Sequence, residues 1–210
     1  MLPEEQNDGV VPLQQDRKIT ITAEEVNNLP LKAFDGKIVL IEDPAKLEKA
    51  VQEISKHPVV GFDTETRPSF KKGQHFKVAL LQLAVDKKVF LVRLNHTGLP
   101  DELVKLFENE NVIKTGVGLR DDLVALQKLK KFHAKGFEDL ATLSKKSGLQ
   151  VESVKKLTAL LLGFRISKSA QTSNWESVTL SEKQLEYAAT DAWVCLEIHK
   201  RLAAAVTFSE

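Results

Sequence analysis

Two carboxylates one residue apart close an otherwise apolar run at Gly61-Phe62-Asp63-Thr64-Glu65-Thr66. Side chains alternate along a strand, so Asp63 and Glu65 project from one face with Cα atoms about 7 Å apart, from a rise of about 3.3 Å per residue. Such a pair can share a metal site, or it can be two solvated charges entering a loop. Another acid follows a tyrosine by four residues in Tyr187-Ala188-Ala189-Thr190-Asp191. Residues four apart share a helical face, so this phenol and carboxylate can point into one space. The plainer alternative is a tyrosine at the core edge and a surface charge. A third segment, Thr115-Gly116-Val117-Gly118-Leu119-Arg120-Asp121-Asp122, runs from a strand through glycines into a helix with Asp122 in its first turn. Acids there also serve to complement the helix dipole, and the glycines lack the full dinucleotide-binding spacing. Brought together, these carboxylates would repel one another, and divalent cations that prefer oxygen, Mg²⁺ or Mn²⁺, relieve such repulsion. Two ions about 4 Å apart can bind both the attacking and the leaving oxygen of phosphodiester cleavage.

The elements that must carry these residues read as an alternation of strands and helices. Residues 1–36 show no sustained period and suggest a tail or a strap lying across the domain. Lys37 to Glu42 reads as a strand, with Asp43-Pro44 as the N-cap and first position of a helix that presents Leu47, Val51 and Ile54 on one face. His57-Pro58 closes that helix before the strand that begins at Val59. Val78 to Val85 and Val89 to Leu94 flank Asp86-Lys87-Lys88 and read as a hairpin. Helical patterns follow near Asp101 to Glu108, Leu119 to Leu129, Glu138 to Ser147, Val154 to Leu162 and Glu182 to Ala205, with a strand at Val112 to Thr115. Ser181 and Gln184 supply a capping box for the last helix. A hairpin combined with strand-helix alternation predicts an α/β domain: a mixed central β-sheet flanked by α-helices.

Composition sets the outer limits. A chain of 210 residues, 42% hydrophobic and 28% charged, has the size and balance of one folded domain. Its single cysteine, Cys195, excludes an internal disulfide, and the five histidines form no metal-ligand spacing. The N-terminus lacks the basic start and apolar run of a signal peptide, and no stretch of about 18 apolar residues occurs, so no membrane association and a cytoplasmic location are expected. The net charge of +1 is unevenly spread: residues 1–66 carry 13 acidic and 7 basic side chains, residues 67–168 carry 10 and 20. The basic middle can meet phosphates, or can simply be solvated helix faces.

The order D-x-E, G-x-x-x-D, Y-x-x-x-D resembles the DEDDy exonucleases. Val59 to Thr66, Lys77 to Leu83, Thr115 to Asp122, Ser173-Asn174-Trp175 and Leu185 to Ala192 are similar to the ribonuclease D and Werner-syndrome exonuclease branch, over roughly residues 37–202. The resemblance implies a ribonuclease-H-like fold over residues 37–205, in which Asp63, Glu65, Asp122 and Asp191 serve two divalent cations, Mg²⁺ or Mn²⁺. In that pattern Asp122 rather than Asp121 supports the second metal, and Tyr187 positions the attacking water. The implied reaction is 3′ to 5′ exonucleolytic hydrolysis of DNA or RNA to nucleoside 5′-monophosphates. The chain leaves no room for C-terminal helical domains or a helicase, so a stand-alone nuclease core acting on a single-stranded or frayed 3′ end is expected. Thr64, Phe70, Lys77 and Trp175 are the expected substrate contacts. Phe62, Phe70, Phe76 and Trp175 are candidates to stack terminal bases, with apolar packing the commoner use of such rings. The competing readings are a catalytically silent nucleic-acid-binding module of the same fold and a two-metal phosphoesterase of small nucleotides.

Overall fold

The structure is a computed structural model that describes residues 19–207. In chain order its elements are α1 (Ala23–Asn28), β1 (Lys37–Ile41), α2 (Pro44–Ile54), β2 (Val59–Thr66), β3 (Val78–Val85), β4 (Lys88–Arg93), α3 (Leu94–Thr97), α4 (Asp101–Glu108), β5 (Ile113–Gly116), α5 (Leu119–Leu129), β6 (Phe137–Asp139), α6 (Leu140–Lys146), α7 (Val154–Leu162) and α8 (Glu182–Thr207). The strands form one sheet in the order β1-β4-β3-β2-β5-β6. β2, β3 and β4 are an antiparallel meander, while β1 joins β4, and β5 and β6 extend from β2, in parallel. The mixed α/β sheet expected from the sequence is therefore present.

Both faces of the sheet are covered. On one, Leu47, Val51 and Ile54 of α2, Leu103 and Phe107 of α4 and Leu126 of α5 bury Val60 and Phe62 of β2 with Leu81 and Leu83 of β3. On the other, Ala188, Ala189 and Ala192 of α8 lie against Leu80 and Ala84 of β3 and Leu91 of β4. Farther along, Val194, Ile198 and Leu202 of α8 join Leu157 and Ala159 of α7 and Ile21 and Val26 near the N-terminal end of the described chain. Every residue of β3 is buried, as a strand covered on both faces must be. Among the described residues no helix is long and apolar enough to cross a membrane.

The alanines of α8 permit a close approach that fixes the rest of the site. A Cβ built on Gly61 would fall 2.0 Å from the Ala192 carbonyl oxygen and 3.0 Å from the Leu196 backbone nitrogen. Only glycine fits between β2 and α8 there. Gly116 is similarly tight against the Phe62 carbonyl oxygen, at 2.6 Å from its would-be Cβ, and Gly118 takes φ 73° as the residue that caps α5.

Two expectations are corrected. The helix read from Glu138 begins at Leu140, because Phe137–Asp139 pairs with β5 as the short edge strand β6 and Asp139 caps the helix, its side chain accepting from the Ala141 N–H at 2.9 Å. The stretch 1–36, read as lacking any period, contains α1, whose Thr22 and Glu25 form a reciprocal capping box. Six residues are too few to show a helical period, so the cap was its only signal. Residues 1–18 of that stretch lie outside the described residues.

Gly61→Ala is expected to cost roughly 3 kcal/mol, at the upper end for overpacking, which for a chain of this size lowers Tm by roughly 6–12 °C. An unchanged Tm in thermal unfolding would show that α8 is not held against β2 at this point.

Candidate active site

Gly61, Asp63 and Glu65 alternate onto the same face of β2. Gly61 touches the backbone of Ala192, and Asp191 is its neighbour on α8. The close approach therefore delivers Asp63 and Glu65 to Asp191, and carboxylate oxygens of the three lie within 4.8 Å of one another. The Tyr187 hydroxyl, one helical turn before Asp191, donates to the Asp191 carboxylate. These four expected site residues meet.

Asp122 stands apart from that trio. It belongs to the first turn of α5, on the other face of the sheet, and its Oδ1 accepts a hydrogen bond from the Thr64 hydroxyl. Thr64 lies between the two acids of β2 but points to the opposite face, so it links Asp122 to the strand end. One of the expected substrate contacts thus has its hydroxyl taken up by an acid. Asp121 is exposed on the same turn.

Crowding shows in the protonation equilibria. Burial, then the Asp191 and Asp122 charges, hold the Asp63 carboxyl well above the usual carboxylate range. Burial, followed by the charges of Asp63, Asp191 and Asp122, pushes Glu65 up to about 9. Asp191 is pushed up to about 6 by burial, opposed by the Tyr187 hydrogen bond and the Lys168 charge. Asp122 also rises to about 6, through burial, against the Thr64 hydrogen bond that holds it down. The Tyr187 hydroxyl is driven far above the ordinary phenol by burial and by the charge of Asp191. Three oxygen-rich side chains, short of positive charge and partly withdrawn from water, make a donor set suited to a hard divalent cation.

The remaining expected contacts divide. Phe70 is 86% exposed and lines an open cleft of about 370 Å³ with Arg67, Lys71, Gln74, Phe76 and Asn174. Its walls continue directly from the end of β2. Phe76 is half-buried, with the Arg67 guanidinium 4.7 Å over its ring. Lys77 is exposed beside the start of β3. Trp175 contradicts its expected role: it is fully buried, 6.1 Å from the Tyr187 ring, and no face is open to a base. It backs the tyrosine instead, on a loop pinned where Arg93 donates to the Ser177 and Val178 carbonyls. Phe62 is likewise enclosed, between Phe107 and Phe137. Cys195 is buried, and burial raises its thiol pKa, which fits a small packing residue.

Two residues that pattern reading passed over also shape the site. Asp139 accepts from the Leu119 N–H at 3.0 Å while capping α6, so it fixes the start of α5 and thereby Asp122. The only signal was an aspartate just ahead of a helical pattern. Gln82 stands opposite Asp63 in the β2-β3 ladder, fully buried, with neither amide atom hydrogen-bonded. Nothing in an apolar strand pattern marks its neighbour across the ladder.

Comparison with known proteins accords with this geometry. The profile of a 3′–5′ exonuclease family matches residues 38–207. The chain is 32% identical over 191 residues to a 3′–5′ exonuclease of Arabidopsis thaliana, covering 83% of this chain and 66% of the relative. It is 34% identical over 188 residues to the bifunctional 3′–5′ exonuclease/ATP-dependent helicase WRN of Mus musculus, covering 84% of this chain and 13% of that protein. It therefore spans less than two thirds of the length of either relative. The crystal structure of the Aedes aegypti Nibbler EXO domain superposes with a TM-score of 0.75 at 25% identity, over 85% of this chain and 94% of that one.

A carboxylate with a folded pKa above its unfolded one binds more protons folded than unfolded between the two values, so stability falls as pH rises through that window. For Glu65 the window runs from 4.5 to about 9. In EDTA, Tm is therefore expected to fall with rising pH across this range. Asp63→Asn should raise Tm at about pH 8 by roughly 3 °C or more, and Mg²⁺ should raise it in the wild type but less in the variant. A Tm in EDTA that climbs with pH, or a destabilised Asp63→Asn, would contradict the crowding.

With the meander, the parallel extension from β2 and the acids at its strand end, the fold is ribonuclease-H-like, and the chain belongs to the 3′–5′ exonuclease family.

Proposed function

We propose that the chain hydrolyses the terminal phosphodiester bond at the 3′ end of a DNA or RNA strand, using two divalent cations, Mg²⁺ or Mn²⁺. The observation that carries this reading is the meeting of Asp63, Glu65 and Asp191 within 4.8 Å, with the Tyr187 hydroxyl bonded to Asp191. Asp63, Glu65 and Asp191 would hold the cations, and Asp122, kept back by Thr64, would support the second through water. Bound cations would neutralise phosphate charge and lower the pKa of the attacking water.

The rest of the chemistry belongs to the protein. Water attacks phosphorus, the bond to the 3′ oxygen of the preceding nucleotide breaks, and a nucleoside 5′-monophosphate leaves while that oxygen gains a proton. A phenol is protonated at neutral pH, so Tyr187 is not the base that takes the proton from water, and its own proton is directed at Asp191. Its oxygen can still accept a hydrogen bond from water, which orients the nucleophile. Burial of Trp175 behind Tyr187 holds the phenol in that direction. Phe70, beside Arg67 and Lys71, offers an exposed ring for a base near cations for the backbone, which suits an unpaired strand end.

The test is degradation of 5′-labelled single-stranded DNA and RNA with Mg²⁺, with Mn²⁺ and with EDTA. A metal-dependent ladder shortening from the 3′ end is expected, lost in Asp63→Ala. In Tyr187→Phe, kcat should fall about 100-fold with KM little changed, the loss expected when the attacking water is no longer oriented. Strand binding without cleavage under either metal would replace this reading with a silent binding module. Turnover of mononucleotides in preference to strands would replace it with a small-nucleotide phosphoesterase.

A further inference from the structure

A second cleft, sharing no wall residue with that of Phe70, reaches Tyr187 itself. It measures about 160 Å³ and is walled by segments distant in sequence: Lys32 ahead of β1, Ser167 and Ser169 after α7, and Lys183, Glu186 and Tyr187 on α8. Lys32 and Lys183 are both exposed. Among the described residues neither is engaged by a carboxylate in an ion pair. Glu186 is the acid that lines the cleft with them.

The wall that carries Lys32 is fixed in place. The Lys32 N–H donates to the Arg165 carbonyl at 3.0 Å, the Arg165 N–H donates back to the Pro30 carbonyl at 2.9 Å, and the Arg165 guanidinium donates to the Leu29 carbonyl at 3.1 Å. Two residues on, the Phe34 N–H donates to the Thr190 hydroxyl of α8 at 3.0 Å. The Lys32 ammonium sits 5.4 Å over the Phe164 ring, and that ring stacks on Trp193 of α8. Residues 29–34 thus strap a cation onto the helix that bears Tyr187 and Asp191. Cations held on separate, hydrogen-bonded segments around a hydroxyl-lined hollow recognise a phosphate group.

We propose that this strap cleft is a phosphate-binding subsite of the nuclease, in which Lys32 and Lys183 hold the phosphate of a nucleotide beside Tyr187. The subsite rests on the nuclease reading for its ligand, a phosphate either within the bound strand or on the released monophosphate.

The experiment uses the full chain with Lys32→Ala/Lys183→Ala, and compares it with Lys46→Ala/Lys49→Ala, an equal loss of charge on exposed positions of α2 across the sheet. Binding of a fluorescent single-stranded oligonucleotide is measured in EDTA over a salt series, and inhibition of cleavage by nucleoside 5′-monophosphates is measured with Mg²⁺. If the phosphate is in the strand, the strap variant binds about 10-fold more weakly and its salt slope drops by roughly 0.7, the value for one phosphate no longer neutralised. The α2 variant keeps the wild-type slope, and Lys32→Arg/Lys183→Arg restores it. If the phosphate is on the product, the slope stays and monophosphate inhibition weakens about 10-fold. Equal effects in the strap and α2 variants, or no effect on either readout, would overturn the subsite. Because binding in EDTA needs no turnover, a wild type that fails to cleave while its lysines still set the salt slope would refute the nuclease and leave the subsite standing.

Discussion

The site depends on one backbone contact. With no side chain at Gly61, the Ala192 carbonyl of α8 can rest where a Cβ would otherwise be, and the period of two along β2 then sets both Asp63 and Glu65 toward the residue next to Ala192, which is Asp191. Small residues on both partners act together: Ala188, Ala189 and Ala192 bring the helix down, and Gly61 receives it. A helix held even one side-chain layer farther away would leave the two β2 carboxylates facing an acid beyond the reach of a shared ion. Register and distance are thus set by packing that has no chemical role of its own.

That packing assembles groups that oppose it. Three carboxylates partly withdrawn from water and near one another favour protonation, and the surrounding fold must hold them against their repulsion. The support is visible in the neighbours. Thr64 anchors Asp122 on the far side of the strand, Tyr187 donates to Asp191, and Asp139 secures the first turn of α5. Trp175 fills the space behind Tyr187 on a loop that Arg93 ties to β4. A cation bound there would supply the charge that the protein leaves out.

Much of this was legible in the sequence because it follows from two periods. A D-x-E at a strand end and a Y-x-x-x-D inside a capped helix state which side chains share a face, and both held. What pattern could not supply was the third dimension. Trp175 in an N-W-E loop reads as a candidate either for stacking a base or for apolar packing, and the choice is made by a loop that Arg93 holds from a strand more than eighty residues earlier. The displacement of Asp122 to the opposite face through Thr64 is likewise a matter of which layer α5 packs in. β6 is three residues long and α1 six, both too short for a period to appear, and the strap closes on Arg165 through backbone hydrogen bonds that no side-chain pattern records.

If the contact of Gly61 with Ala192 builds a cation site, calorimetric titration of Mn²⁺ into the nucleotide-free protein and into Asp191→Asn will detect it. Saturable binding of two ions per chain in the wild type, with at least one lost in the variant while its fold by circular dichroism is unchanged, is the predicted result. A folded wild type that binds no Mn²⁺ at millimolar concentration, or a variant that binds as well as the wild type, would contradict it.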